Sequence, residues 1–214
     1  LAPWADRFTL VEKDALDLAA ADLPFSPTKL VANLPYAVAA TVVLDCFERF
    51  SGLESATVMV QKEVADRMAA DPGSKNYGAY TVKLRLYAEP AGRFAVGPGN
   101  FFPPPRVESA VVRLDRRPLR DSAGDPLDAR ALRAACIMAD AAFATRRKTL
   151  ANSCKTYFAG RGREGTRVAA ALPQLFECAG IDPAQRGETL SLGAFVRLGA
   201  AYRQVAEECG PSCA

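Results

Sequence analysis

The chain has 214 residues, half of them apolar, with 27 basic against 24 acidic side chains and no histidine. That length and apolar fraction allow one large core or two modest ones, while a net charge of +3 is too mild to mark a nucleic-acid binder by itself, so any such surface must come from local clustering. The lack of histidine excludes histidine-based acid–base catalysis and histidine-rich metal sites.

Six cysteines, at 46, 136, 154, 178, 209 and 213, form no C-x-x-C pair. They read as reduced thiols of a cytoplasmic protein without a metal site, Cys209 and Cys213 as exposed and incidental. No apolar segment reaches the length of a membrane span, because Asn33, Pro35 and Asp45 interrupt the best candidate. The start carries no signal-peptide pattern.

In chain order, residues 8–12 read as a short strand followed by the turn Asp14-Ala15-Leu16. No glycine precedes Gly52, although a nucleotide-binding α/β domain ordinarily opens with a strand, a glycine-rich turn and a helix. Next comes Lys29-Leu30-Val31-Ala32-Asn33-Leu34-Pro35-Tyr36. An apolar run of buried-strand type ends there in an amide, a proline and an aromatic. In open α/β sheets ligands bind at the carboxyl ends of strands. Pro35 removes a donor and biases Leu34 toward extended backbone, so the turn becomes rich in acceptors. Such a surface suits methyl transfer to an exocyclic amine: Asn33 and the Leu34 carbonyl could accept its N–H groups, and Tyr36 could stack on the base. The four residues alone allow another reading, in which Asn33 caps the next helix and Tyr36 is core.

Val38, Val42, Val43, Phe47 and Phe50 have helical spacing over residues 37–50, a strand follows at 56–60, and a short helix at 62–70 ends in Asp71-Pro72-Gly73. Residues 80–86 alternate apolar and polar, a strand pattern. Segments 93–96 and 107–115 read as an antiparallel pair joined through Asn100-Phe101-Phe102-Pro103-Pro104-Pro105, whose prolines stiffen the loop. Both rings could serve a base pocket or fill core. Residues 118–126 form a polar linker, and from 127 the composition turns helical, with helices at 128–143, 146–158, 165–179 (interrupted by Pro173) and 191–208 (capped by Ser191). Arg146-Arg147-Lys148 would open the second of these and head the chain's one basic concentration, which continues through Lys155, Arg161, Arg163 and Arg167. For the triplet the reading is RNA phosphate or an inter-domain contact, and for residues 161–167 a solvated helix face.

Asn33-Leu34-Pro35-Tyr36 resembles the amine-methyltransferase tetrapeptide. Five further stretches resemble the small-subunit rRNA adenine N6,N6-dimethyltransferase family: Lys13-Asp14-Ala15-Leu16; residues 60–64; residues 74–78; the run from Phe101 through Leu114; and the pair formed by residues 143–153 with Gly180-Ile181-Asp182-Pro183. The resemblance implies a partial Rossmann-like S-adenosylmethionine-dependent methyltransferase domain over 1–117, a linker at 118–126, and a small all-helical RNA-docking domain over 127–214. It also implies a helix, in place of a strand, at 79–88. The glycine-rich cofactor half is expected to be missing from this chain, which by itself is then expected to be inactive. Implied roles are catalysis by Asn33, Leu34, Pro35 and Tyr36, stacking of the target base by Tyr36 and Phe101, cofactor binding by Asp14 and Asn33, and RNA binding by Arg146, Arg147 and Lys148. Phe102 departs from the family, where a small polar residue is usual. The implied activity is dimethylation of N6 of two adjacent adenosines in the 3′-terminal helix of small-subunit RNA, by a monomer acting in the cytoplasm on the immature small subunit. The alternatives are a large-subunit methyltransferase of the macrolide-resistance type and a non-catalytic assembly factor.

Overall fold

The computed structural model describes residues 6–121 and 124–208; Cys209 and Cys213 lie outside them. The chain divides into two compact units, one made of the residues up to Ala65 with Tyr87–Arg117, the other of Asp66–Leu86 with the residues from Pro118 onward. The second unit therefore takes in residues 66–86, which the contiguous division at 117 had assigned to the methyltransferase part.

The first unit is built on one mixed sheet, β1 (Lys29–Asn33), β2 (Ser55–Gln61), β3 (Ala88–Val96) and β4 (Ser109–Arg116), in the order β1-β2-β4-β3. β1 and β2 are parallel, and parallel neighbours need a crossover; α1 (Ala39–Arg49) lies between them in sequence. β4 runs antiparallel to both β2 and β3. Its register sets Leu114, Val112 and Ala110 opposite Ala56, Val58 and Val60. All six are wholly buried, so they share one apolar face of the pleat. α1 contributes a buried stripe of Ala39, Val42, Val43, Cys46 and Phe47, as its spacing predicts.

Arg116, the last residue of β4, ties the sheet to the end of α1. Its guanidinium donates to the carbonyls of Leu53, Phe47 and Phe50 at 2.5, 2.7 and 2.9 Å and sits 5.3 Å from the centre of the Phe47 ring. Phe47 lies in the last turn of α1, where carbonyls lack intrahelical partners, and the same planar fork also reaches Leu53 and Phe50, the latter already accepting from the Leu53 amide at 3.0 Å. Burial lowers the proton affinity of this guanidinium below the ordinary arginine value.

Residues 8–12 do not form the expected strand. Phe8 and Leu10 are 45% and 77% exposed, and among the described residues β1 has β2 as its single ladder partner. A short, largely apolar run makes a strand only when a neighbouring backbone accepts the ladder.

In the second unit, α3 (Ala79–Arg85) is a helix despite its strict alternation. The amide of Val82 donates to Gly78 and that of Leu86 to Val82. Thr81 is buried along with Val82, Leu84 and Leu86, so both parities of the pattern are covered and alternation stops being diagnostic. The Thr81 hydroxyl donates to the Arg67 carbonyl at 2.8 Å. Four longer helices follow: α4 (Ala129–Phe143), α5 (Leu150–Ala159), α6 (Gly162–Ala179) and α7 (Leu192–Glu208); α2 (Lys62–Met68) precedes α3 and contains the division between units. Pro173 lies inside α6 without ending it. Ser191 accepts from Ala194 at 3.3 Å, the expected cap of α7. Alanines line the buried side of α4; at Gly199 of α7 an added Cβ would come within 2.6 Å of the Ala135 nitrogen, so the two helices pass too closely for any larger residue there.

Two consequences are measurable. Arg116→Met should lower the unfolding free energy by about 2–3 kcal/mol in denaturant titrations, because it takes the donor from the carbonyls of Phe47 and Leu53, and Arg116→Lys should recover less than half. The buried Tyr77 hydroxyl donates to the Leu190 carbonyl at 2.9 Å, and burial pushes its pKa up to about 12. In the unfolded chain the phenol ionises near pH 10; its stabilisation is thus complete below pH 10 and is lost as pH rises toward 12. Tyr77→Phe should cost about 1 kcal/mol at pH 8 and flatten the alkaline fall in melts taken between pH 10 and 12.

Candidate functional site

The sheet gathers three carboxyl ends at one edge. β1 ends at Asn33, level with Met59 near the end of β2. Gln61 and Val96, the last residues of β2 and β3, both pair with Ser109, the first residue of β4. The turn after Asn33 and the loop 97–108 therefore leave the sheet from the same edge.

The turn after β1 is held by backbone bonds that leave its acceptors free. Leu34 donates to the Met59 carbonyl at 3.2 Å, extending the parallel ladder, and the amides of Val38 and Ala39 both donate to the Pro35 carbonyl, at 3.2 and 3.0 Å. The Leu34 carbonyl takes part in no hydrogen bond among the described residues, nor does the exposed Asn33 side chain. Asn33 is not a helix cap, since α1 starts at Ala39 with Val38 in the capping place. Tyr36 is half-buried, and its hydroxyl is 2.7 Å from the Oγ of wholly buried Ser109. This bond fastens the turn to the foot of β4.

The proline loop is braced at both ends. A short 3-10 turn at Pro98–Asn100 is closed by Phe101 donating to the Pro98 carbonyl at 3.1 Å. On the return leg Lys62 donates from its backbone to Glu108 at 2.9 Å and pairs with the Glu108 carboxylate at 2.5 Å. Phe101 is half-buried. Phe102 stands fully in solvent, and the Phe102–Pro103 peptide is cis.

Asp14 opens a turn in which its Oδ1 accepts from Leu16 at 2.9 Å and its carbonyl from Asp17 at 3.0 Å. The second carboxylate oxygen points to no partner among the described residues. Arg49, on α1, holds this turn by donating to the carbonyls of Leu16 and Leu18 at 2.5 and 3.0 Å while paired with Asp45 at 3.0 Å.

Arg146, Arg147 and Lys148 belong to the helical unit and occupy the turn between α4 and α5, not the start of α5. α5 starts at Leu150, capped by the Thr149 side chain. Buried Ser153 shapes the turn, donating to the Ala141 carbonyl at 2.8 Å and accepting from Thr145 at 3.0 Å. Pro183, the last residue of the Gly180-Ile181-Asp182-Pro183 segment, and Gln185 just after it present their carbonyls to the amides of Ala151 and Leu150, at 3.1 and 2.7 Å. These are two of the orphan donors at the helix start. Arg146 donates to the Lys75 carbonyl and lies 3.7 Å from the Glu188 carboxylate, so its charge is engaged within the unit. Arg147 and Lys148 are exposed, without an ion pair among the described residues.

The model of the family described as ribosomal RNA adenine dimethylase matches residues 5–173. The chain belongs to this family. Curated relatives named ribosomal RNA small subunit methyltransferase A are 46% identical over 194 residues in Rhodococcus erythropolis and 47% over 196 residues in Nocardia farcinica, covering 91% and 92% of this chain. The chain spans 61% and 63% of those relatives' length. Among solved structures, a dimethyladenosine transferase from Plasmodium falciparum superposes with a TM-score of 0.70 at 20% identity, covering 91% of this chain and 72% of the other. The 23S rRNA methyltransferase ErmE superposes at 0.56 and 24% identity, with coverages of 89% and 70%. Both likenesses concern the fold, a Rossmann-like α/β part followed by an all-helical one.

Four positioning residues carry little signal in the sequence. For Arg49 the one local hint is its i, i+4 spacing from Asp45. Ser109 and the pair formed by Lys62 and Glu108 act across more than forty residues of sequence, which no local pattern signals. Arg49→Ala should speed amide exchange at Leu16 and Asp17 by roughly tenfold or more, through loss of the bonds that hold the turn, and leave the interior of α1 unchanged in the same exchange map.

Proposed function

We propose that the protein transfers methyl groups from S-adenosylmethionine to N6 of two adjacent adenosines in the 3′-terminal helix of small-subunit ribosomal RNA, as a cytoplasmic monomer acting on the immature subunit. The observation that carries this reading is the pair of free acceptors, the Asn33 amide oxygen and the Leu34 carbonyl, beside the half-exposed ring of Tyr36 at the carboxyl edge of the sheet. Small-subunit RNA is preferred to large-subunit RNA because the curated relatives more than 40% identical carry that name.

Of the residues that would hold the cofactor, Asp14 fits it. The unused oxygen of Asp14 can accept from an exocyclic adenine amine, as the family resemblance implies, and Arg49 keeps its turn in place. When bound, S-adenosylmethionine supplies an electrophilic methyl group. The lone pair of the target amine is delocalised into its ring. Accepting one N–H at Asn33 and the other at Leu34 turns that lone pair out of the ring plane, toward attack. Tyr36 and Phe101 sandwich the base, which must first leave its stack. A strong base is unnecessary, since the nitrogen becomes acidic as it gains a fourth bond and its proton leaves to water. In the second round one N–H remains, and the other acceptor faces the first methyl group. Arg147 and Lys148 supply phosphate contacts from the helical unit, with Arg146 holding the loop at Lys75 in place.

The test, run on a chain that includes the glycine-rich cofactor half, is transfer of labelled methyl groups to small-subunit particles that lack adenine methylation, beside calorimetric titration with S-adenosylmethionine. Asn33→Ala should lower transfer at least a hundredfold, a loss of about 3 kcal/mol in transition-state stabilisation, with RNA affinity held within about twofold. Undiminished transfer by this variant, or label on large-subunit RNA, overturns the reading. A folded chain that binds the RNA yet neither binds the cofactor nor transfers would replace it with a non-catalytic assembly factor.

A further inference from the structure

Phe102 is the most exposed large apolar side chain described, at 101%, against 41–79% for the others. It is not a floppy surface residue. Three prolines follow it, each fixing its own φ. The 3-10 turn at Pro98–Asn100 closes the loop before it, and the Lys62 to Glu108 contacts close it behind. Among the described residues nothing covers the ring, and it stands on the loop that leaves the sheet at the edge carrying Asn33 and Tyr36.

An aromatic ring held in water beside a site for a flipped base has one obvious use. Extruding a base leaves a gap in the stack, and an apolar side chain entering that gap keeps the base from returning. Charge on the loop argues for RNA over protein. Glu108 is neutralised by Lys62, which leaves exposed Arg106 as the loop charge without an ion pair among the described residues. A cation four residues from an exposed ring suits a phosphate next to a stacked base. Resting on the function proposed above, we infer that Phe102 is a stacking wedge that inserts against the RNA base neighbouring the target adenosine, while Phe101 behind it serves the pocket.

The probe is an RNA hairpin with the two adjacent adenosines in its loop and 2-aminopurine beside them. Phe102→Ser should bind it roughly tenfold more weakly, the equivalent of about 1.4 kcal/mol, and abolish the quenching of 2-aminopurine that the wild-type chain produces. Phe102→Tyr should restore both, and Phe102→Leu neither in full. Because the ring is wholly exposed, none of these changes should shift the melting temperature. A Phe102→Trp chain whose native tryptophan is removed by Trp4→Phe should lose emission on adding the hairpin. Binding and quenching by Phe102→Ser equal to wild type overturn the wedge and leave the functional reading intact; failure of the wild-type chain to bind the hairpin overturns both. Full rescue by Phe102→Leu, or loss of tryptophan emission with purified small-subunit proteins and not with RNA, overturns stacking on a base.

Discussion

The placement of β4 between β2 and β3 is the constraint on which the first unit depends. Because β4 is antiparallel to both neighbours, its first residue meets the last residues of each, and Ser109 sits between Gln61 and Val96. That one register brings the proline loop back to the edge where β1 ends, and gives the Tyr36 hydroxyl a buried partner. The same register aligns Ala110, Val112 and Leu114 with the buried residues of β2. A shift of one residue would turn that apolar face outward and carry Ser109 away from Tyr36. Core and site therefore share a single specification.

The chemistry at this edge depends on which carbonyls are used elsewhere. Pro35 accepts two amides as α1 begins, so the helix is launched without drawing on Asn33 or Leu34. Buried polar groups are nearly always satisfied internally; the acceptors of this turn stay free because Asn33 is exposed and proline removes one competing donor. The arrangement stiffens the acceptors without occupying them, which preorganised polar catalysis requires. Arg49 treats the Asp14 turn alike, fixing its backbone while one carboxylate oxygen remains open.

In the helical unit a basic turn is shaped by neutral contacts. Ser153 binds its two ends, and the carbonyls after Ile181 complete the start of α5. Arg146, though exposed, is engaged by Lys75 and Glu188, so two adjacent arginines of one triplet have different surroundings. Charge density in sequence thus overstates what a partner can meet. The local fold decides which cations remain available.

Local signals carried the long elements and the candidate tetrapeptide. The spacing of Val42, Val43 and Phe47 defines α1, Ser191 marks the start of α7, and an amide, proline and aromatic after an apolar run mark a strand end with spare acceptors. These element positions agree with the structure because each rests on residues a few positions apart, but the burial expected of the run before Asn33 does not: β1 has no buried residue and Val31 is 79% exposed. Two strand readings failed, for opposite reasons: residues 8–12 have no ladder partner among the described residues, and residues 80–86 alternate but are buried on both parities of a helix. What only the tertiary structure decided was pairing at long range: Ser109 with Tyr36, Arg116 with the end of α1, Arg146 with Lys75, and the solvent position of Phe102. The sequence by itself determined which groups could accept, donate or stack. Which of them are already satisfied depends on partners tens of residues away, brought close by register and helix packing, and that information is absent from any local pattern.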